Sequence, residues 1–175
     1  MLMKKIIALM GQKGSGKDTA AKAFIDQGYE GFAFADPIKR YIERTFNIPY
    51  DILNNRRLKE TVLEEHWCDL SPRRLMQLVG DAFRLHDKNY WVDLTEQLII
   101  KCESPVVVTD LRYPNEYDMI RKHNGTIYKV TRDTGLVDTH DSEIYIDVMQ
   151  ADHELTNDFG TARDFIRYVE KRIMI

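Results

Sequence analysis

The segment Gly11-Gln12-Lys13-Gly14-Ser15-Gly16-Lys17-Asp18-Thr19 restricts this chain more than any other. It follows a short apolar run at residues 5–10. It precedes residues 18–27, where Ala20, Ala21, Ala23, Phe24 and Ile25 are good helix material that stops at Gly28. A glycine-rich turn between a buried strand and a helix is the setting of a phosphate-binding loop. Glycines let successive backbone N–H groups turn inward at a helix N-terminus, and that concavity attracts anions. Lys17 adds a compact positive charge within reach of β- and γ-phosphates. The hydroxyls of Ser15 and Thr19 are candidates for phosphate or Mg2+. Asp18 occupies the slot after the lysine where Ser or Thr is usual, and Thr19 follows one later. An acid so close to phosphate is expected to face metal-bound water or a basic neighbour. A plain glycine turn with a surface lysine is the bland alternative, and this spacing after an apolar strand argues against it.

The remaining chain alternates in the same way. Residues 32–35 form a second apolar run, and Asp36-Pro37 supplies a cap and a first-turn proline for a helix over 38–46. Residues 47–67 read as a loop with short helical pieces. Ser71-Pro72 repeats the cap-and-proline signal, and the helix after it aligns Leu75, Leu78, Val79, Ala82 and Phe83 on one stripe. Residues 91–100 predict a helix, and 105–109 a β-branched strand. Residues 115–123 predict a helix that stops at Asn124-Gly125. A strand over 126–130, a polar segment over 131–141, a short helix over 142–149 and a strand over 153–156 come next. The last helix opens at Thr161-x-x-Asp164 and buries Phe165, Ile166, Val169 and Ile173. With no repeat and no linker, the alternation predicts one domain over 1–175. Its class is a P-loop NTPase-type three-layer α/β/α sandwich with a mostly parallel five-stranded sheet and a small helical insertion.

Composition removes several classes. The 175 residues carry 25 Lys+Arg against 28 Asp+Glu, a net charge of −3, too even for a nucleic-acid footprint. Two cysteines, Cys68 and Cys102, cannot build a disulfide framework and read as buried free thiols in a reducing compartment. The apolar runs are far shorter than the ~20 residues that span a bilayer. The opening MLMKKIIALMG imitates a signal peptide, but its apolar run leads straight into the glycine loop. A cytoplasmic location is expected, without a membrane or nucleic-acid partner, and a homodimer is the base-rate expectation for assembly.

A phosphoryl transferase needs a second anion site for its acceptor. Arg73, Gln77, Gly80 and Arg84 share one face of their helix by three- and four-residue spacing, with Gly80 admitting a close neighbour. A solvated charged face is the alternative. Asp36 and Lys39 follow the second apolar run, at the strand edge where open α/β sheets bind ligands. Asp110 ends the apolar run at 105–109, as a metal-supporting carboxylate would, and Arg112 offers bidentate contact to phosphate. Asn115 and Glu116, just beyond, are candidates for a base or sugar. Arg132 opens the polar segment and is the candidate for a mobile arginine over the transferring group. His140, Asp141, Glu143 and His153, or His66 and Cys68 with Cys102, lack the paired spacing of metal ligands. Tyr90 and Trp91 read as core more readily than as a stacking platform.

Together, several segments resemble the phage-type deoxynucleoside monophosphate kinases: GQKGSGKDTAA, FAFADPIK, LSPRRLMQLVGDAFR followed by NYWV, VVVTDLRYPNE, and HDSE with DHELTNDFG. They run in family order from Met10 to Gly160. The resemblance implies transfer of the ATP γ-phosphate to a deoxynucleoside 5′-monophosphate with Mg2+. It implies that Lys17 and its loop hold ATP, and that Asn157 and Gly160 lie near the ATP base. Asp36, Lys39, Arg73, Arg84, Trp91, Asp110 and Arg112 would surround the monophosphate. Where the family often has Gly-Thr, this chain has Gly80-Asp81, and it is short for the group. A reduced acceptor region at about 36–101 and a reduced lid at about 131–150 are therefore expected. Two rivals stay open. One is a kinase of another small molecule, similar to dephospho-coenzyme A kinase. The other is a nucleotide-binding protein without turnover, against which the second set of arginines argues.

Overall fold

The computed structural model describes residues 4–63, 69–133 and 141–173, without the side chains of 141–144. In order, the elements are β1 (Ile6–Met10), α1 (Lys17–Ile25), β2 (Glu30–Phe32), α2 (Asp36–Phe46), α3 (Tyr50–Asn54), a single 3-10 turn (Leu58–Glu60), α4 (Pro72–His86), α5 (Tyr90–Lys101), β3 (Val106–Leu111), α6 (Pro114–Lys122), β4 (Thr126–Thr131), α7 (Asp141–Val148), β5 (His153–Thr156) and α8 (Ala162–Ile173). Two compact units share the chain: Met1–Ala33 with Glu96–Ile175, and Phe34–Thr95.

The first unit holds the sheet, in the order β2-β3-β1-β4-β5, with every neighbouring pair parallel. A parallel sheet carries helices on both faces, so its central strands must be apolar on both sides. All five residues of β1 are buried, as are Val106, Val107 and Val108 of β3. The core joins Ile7, Leu9, Phe24, Val107, Val130, Leu155, Phe165 and Val169, which also seats α1 against α8. Each aliphatic side chain so buried stabilises the fold by ~1.5–3 kcal/mol. The chain leaves β1 toward β2 on one side and returns to β4 on the other. That switch point is where parallel α/β sheets open a crevice at the carboxyl ends of their strands.

The pairing of β1 with β3 has a step. Ala8 faces Val108 and Met10 faces Leu111, so β3 spends three residues where β1 spends two. The additional residue is a bulge at Thr109–Asp110, a device that re-aims side chains beside active sites. Both Thr109 and Asp110 are half-buried, between the buried Val108 and Leu111.

The second strand differs from the sequence expectation. It occupies Glu30–Phe32 rather than 32–35, pairing Glu30, Gly31 and Phe32 with Val106, Val107 and Val108. It is an edge strand, so Glu30 and Gly31 remain exposed and carry no apolar signal. Phe34 is buried but turns the chain into α2, whose cap is Ala35 rather than Asp36. Asp36 is therefore the first helical residue and does not end a strand.

The second unit packs Ile38, Ile42, Ile48, Leu53, Leu75, Val79 and Trp91. Ser71 caps α4 as expected, its Oγ accepting the Arg74 N–H at 3.3 Å. The buried face of α4 is Pro72, Leu75, Val79 and Gly80. Leu78 and Ala82, expected on that stripe, face outward, because the true stripe is rotated by about one residue toward Gly80. At the other end of the chain, Thr161 caps α8 as expected: its Oγ1 accepts the Asp164 N–H at 3.2 Å and donates to the Asp164 carboxylate at 2.6 Å. No helix among the described residues is long and apolar enough to cross a membrane.

Candidate active site

Gly11 leaves β1 with φ 150°, and a Cβ there would lie 2.2 Å from the Val130 carbonyl oxygen. Only glycine lets the chain pass this closely to β4. Gly14 and Gly16 also have positive φ, 85° and 105°, and Gly16 is the N-cap of α1. Ser15 N–H donates to the Gln12 carbonyl at 3.1 Å, closing the turn. Lys17, the first residue of α1, is 8% exposed, and its Nζ folds back onto the Gly11 and Gln12 carbonyls at 2.5 and 2.8 Å. Lys13 and Asp18 are exposed and Thr19 is half-buried. Asp18 sits in the first turn of α1, where the helix dipole favours a negative charge. The Ser15 hydroxyl is buried and has no hydrogen-bond partner.

The loop is held from a distant part of the sequence. Asn157, 5% exposed at the end of β5, donates its Nδ2–H to the Ser15 carbonyl at 2.8 Å. Its backbone N–H donates to Thr131 O at 2.8 Å, prolonging the β4–β5 ladder to the residue before Arg132. A Cβ on Gly16 would lie 2.4 Å from Asn157 Nδ2, so the third glycine of the loop makes room for this contact. Gly160 is exposed with nothing near its Cβ direction.

β3 carries Asp110 and, immediately after it, Arg112, both half-buried. Because Met10 pairs with Leu111, these two flank the strand position from which the glycine loop departs. Glu116 was expected near a base or sugar. It is 4% exposed, and its Oε2 accepts the backbone N–H groups of Arg112 (2.8 Å) and Tyr113 (3.0 Å). Its carboxylate therefore shapes the turn that presents Arg112. Asn115 is half-buried in the first turn of α6, and Arg132 is exposed after β4.

In the second unit, Asp36 Oδ1 accepts from Lys39 Nζ at 2.9 Å and from the Tyr50 hydroxyl at 2.8 Å. Arg73, Gln77 and Arg84 are half-buried on the α4 face that also carries Gly80. Arg73 pairs with Glu60 and Arg84 with Asp81. The close neighbour that Gly80 admits is Arg84 itself: a Cβ on residue 80 would lie 2.8 Å from its Nη1. Trp91 is 3% exposed, T-shaped against Phe83 and Tyr90, and its Nε1–H donates to Gly80 O at 3.1 Å. The indole thus belongs to the core and supports α4 from behind. Tyr50 escaped the sequence reading, although the polar spacing of α2 beside it was visible.

His66, Cys68 and His140, and the side chains of Asp141 and Glu143, lie outside the described residues, as do residues 134–140 of the expected lid. Among the described residues no cluster of three or more His, Cys, Asp or Glu forms. His153 lies against the Tyr128 ring. Cys102 is a free thiol beside Glu30 Oε2 at 3.1 Å, and burial with that carboxylate pushes it up from the ordinary thiol value.

The family model for deoxynucleotide monophosphate kinase matches residues 5–64 and 47–166. A putative deoxynucleotide monophosphate kinase of Acanthamoeba polyphaga mimivirus is 31% identical over 159 residues, 79% of this chain and 80% of that protein. The deoxynucleoside-5′-monophosphate kinase of Escherichia phage T5 is 24% identical over an alignment of 227 positions, covering 90% of this chain and 91% of its own. The solved dephospho-CoA kinase from Campylobacter jejuni shares the fold, with TM-score 0.52 at 13% identity over 98% of this chain and 97% of that one. By the family match over most of its length and the identity with the mimivirus protein, the chain belongs to the deoxynucleotide monophosphate kinase family.

Proposed function

We propose that this protein transfers the γ-phosphate of ATP to a deoxynucleoside 5′-monophosphate, with Mg2+, by in-line displacement. The observation that carries the reading is the gathering, at the carboxyl edge of one parallel sheet, of the glycine loop, Asp110, Arg112, Arg132 and Asn157. The residues present fit a bound triphosphate. Gly11, Gly14 and Gly16 take the positive φ values of a loop whose N–H groups can turn toward an anion, and the buried Ser15 hydroxyl awaits an outside partner. Lys13, Lys17 and Thr19 complete the set that would hold the phosphates, and Asn157 and Gly160 border it toward the base.

The hard oxygens of Asp18, Thr19 and Asp110 suit Mg2+, which takes one or two carboxylates and keeps several waters. When bound, the ion neutralises charge on the phosphate oxygens. The acceptor phosphate is already anionic, so no strong base is required. Alignment and cations suffice: Lys17 on the donor side, with Arg112 and Arg132 toward the transferring group. Within the second unit, Asp36, Lys39, Arg73, Gln77, Gly80, Arg84 and Trp91 are the residues we assign to holding or supporting the acceptor; within the first, we assign the same task to Asp110, Arg112, Asn115 and Glu116. A coupled assay with ATP and each of the common deoxynucleoside monophosphates tests the reading. We expect turnover with at least one of them, its loss in Lys17→Ala, and a retained thermal transition in that variant. Turnover with dephospho-coenzyme A alone, or undiminished turnover in Lys17→Ala, would overturn it.

A further inference from the structure

α2 carries a polar stripe of Asp36, Lys39, Arg40 and Glu43, spaced by three and four residues and so sharing one face. All four meet a single residue, Tyr50, which opens α3. Its hydroxyl donates to Asp36 Oδ1 at 2.8 Å, and its backbone N–H donates to Glu43 Oε1 at 3.2 Å. Its ring centroid lies 5.7 Å from Lys39 Nζ and 4.9 Å from Arg40 Cζ. Lys39 donates to the same Asp36 oxygen, so that oxygen is shared between an ammonium and a phenol.

The sharing has a chemical consequence. A carboxylate beside an ammonium cancels part of the charge that an incoming phosphate would meet. A second donor on the same oxygen divides that acceptor and fixes the carboxylate's orientation. The electron-rich ring face meanwhile holds two cations of one helix side by side, which mutual repulsion would otherwise spread. Leucine could fill the same space, and phenylalanine could hold the cations, but only tyrosine does both and anchors Asp36. Burial and the bond to Asp36 push the Tyr50 hydroxyl above the usual tyrosine value, so it stays a donor throughout the working range.

We infer that Tyr50 is a positioning residue of the acceptor site, holding Asp36, Lys39 and Arg40 in the array that receives the phosphate of a deoxynucleoside monophosphate. The inference rests on the proposed reading that Asp36 and Lys39 serve the acceptor.

The test uses the full chain and measures monophosphate binding by calorimetry, independently of turnover. The variants are Tyr50→Phe, Asp36→Asn and the two combined, with kcat, both KM values and thermal midpoint recorded for each. Tyr50→Phe should weaken monophosphate binding about threefold to tenfold, a fraction of the worth of one hydrogen bond to a charged group, because that bond is already present without ligand. ATP KM and kcat should stay at their unaltered values, and the thermal midpoint should fall by no more than the loss of one hydrogen bond explains. The double variant should lose less than the product of the single losses, because Tyr50 acts through Asp36. Unchanged monophosphate binding in Tyr50→Phe would overturn the inference, as would a lowered thermal midpoint without weaker binding. Unaltered protein that binds no monophosphate would overturn it together with the kinase reading. Binding that is weakened by Tyr50→Phe in a protein with no phosphoryl transfer would sustain the inference and overturn the kinase reading alone.

Discussion

Asn157 Nδ2 donates to the Ser15 carbonyl oxygen at 2.8 Å, tying the end of the last strand to the middle of the glycine loop. The same residue's backbone N–H donates to Thr131 O, so one buried residue links the loop to the strand that leads to Arg132. A loop built of glycines has the greatest conformational entropy to lose, and a fixed tie lowers that loss before any ligand arrives.

Asn157→Ala should therefore act on the donor nucleotide. It leaves a buried carbonyl unpaired, at ~1–3 kcal/mol. We expect ATP KM to rise about tenfold, equivalent to ~1.4 kcal/mol, with acceptor KM unchanged. Steady-state kinetics with each substrate varied in turn checks this. Equal rises in both KM values would contradict a role confined to the loop.

The glycines differ in what they tolerate. Gly11→Ala drives a Cβ into a backbone carbonyl of β4, which cannot swing aside, and should cost about 3 kcal/mol or more. Gly160→Ala meets open space and should stay within about 0.5 kcal/mol of the unaltered protein. Urea unfolding of the two variants side by side measures the contrast.

Gly80→Ala separates stability from function. Its Cβ would meet the guanidinium end of Arg84, a flexible group that can move away, while helix propensity improves by ~1 kcal/mol. Stability should hold or rise while acceptor KM increases through a displaced Arg84. The same KM change should appear in Arg84→Ala. A Gly80→Ala enzyme with unaltered acceptor KM would remove Arg84 from the acceptor set.

Glu96 provides a pH test of packing outside the site. Its Oε1 accepts from Lys122 Nζ at 2.8 Å and contacts His123 Nε2 at 2.6 Å. The Lys122 bond, then the His123 bond, hold its carboxyl below the usual glutamate value, against the opposing effect of burial. A carboxyl depressed on folding stabilises above its unfolded pKa, and that contribution is lost as pH falls through the folded pKa. Lys122 is well exposed, which keeps the contribution at a few tenths to about 1 kcal/mol. Glu96→Gln should thus be less stable than the unaltered protein at neutral pH, and the gap should close as the solution is acidified below the ordinary glutamate range. Denaturant unfolding across pH 3 to 7, a range set around the ~4.3 of free glutamate, reads the difference.

Much was legible in the linear chain because it depends on local chemistry. A run of five apolar residues, three glycines, a lysine and a threonine specify a strand, a turn and a helix N-terminus without distant help. The Ser71-Pro72 and Thr161-x-x-Asp164 caps are local in the same sense, and both formed. The edge strand was missed because Glu30 and Gly31 face solvent and lack the apolar signature of a strand buried on both faces. The outward turn of Leu78 and Ala82 was missed because a helix pattern gives a face, whereas the neighbours it meets decide which side is covered.

Long-range pairing decided the rest. The bulge at Asp110 exists only in the register between β1 and β3, two strands separated by five α-helices. Glu116 looked like a ligand until its carboxylate closed on the Arg112 and Tyr113 N–H groups, and Asn157 became the loop's strap only when parallel pairing brought β5 beside β4. Sequence alone names the candidate groups for phosphate, since that follows from residue type and short spacing. Which carboxylates and amides serve as scaffolding is set by the tertiary structure, because a buried polar group takes whichever partner the fold brings within about 3 Å.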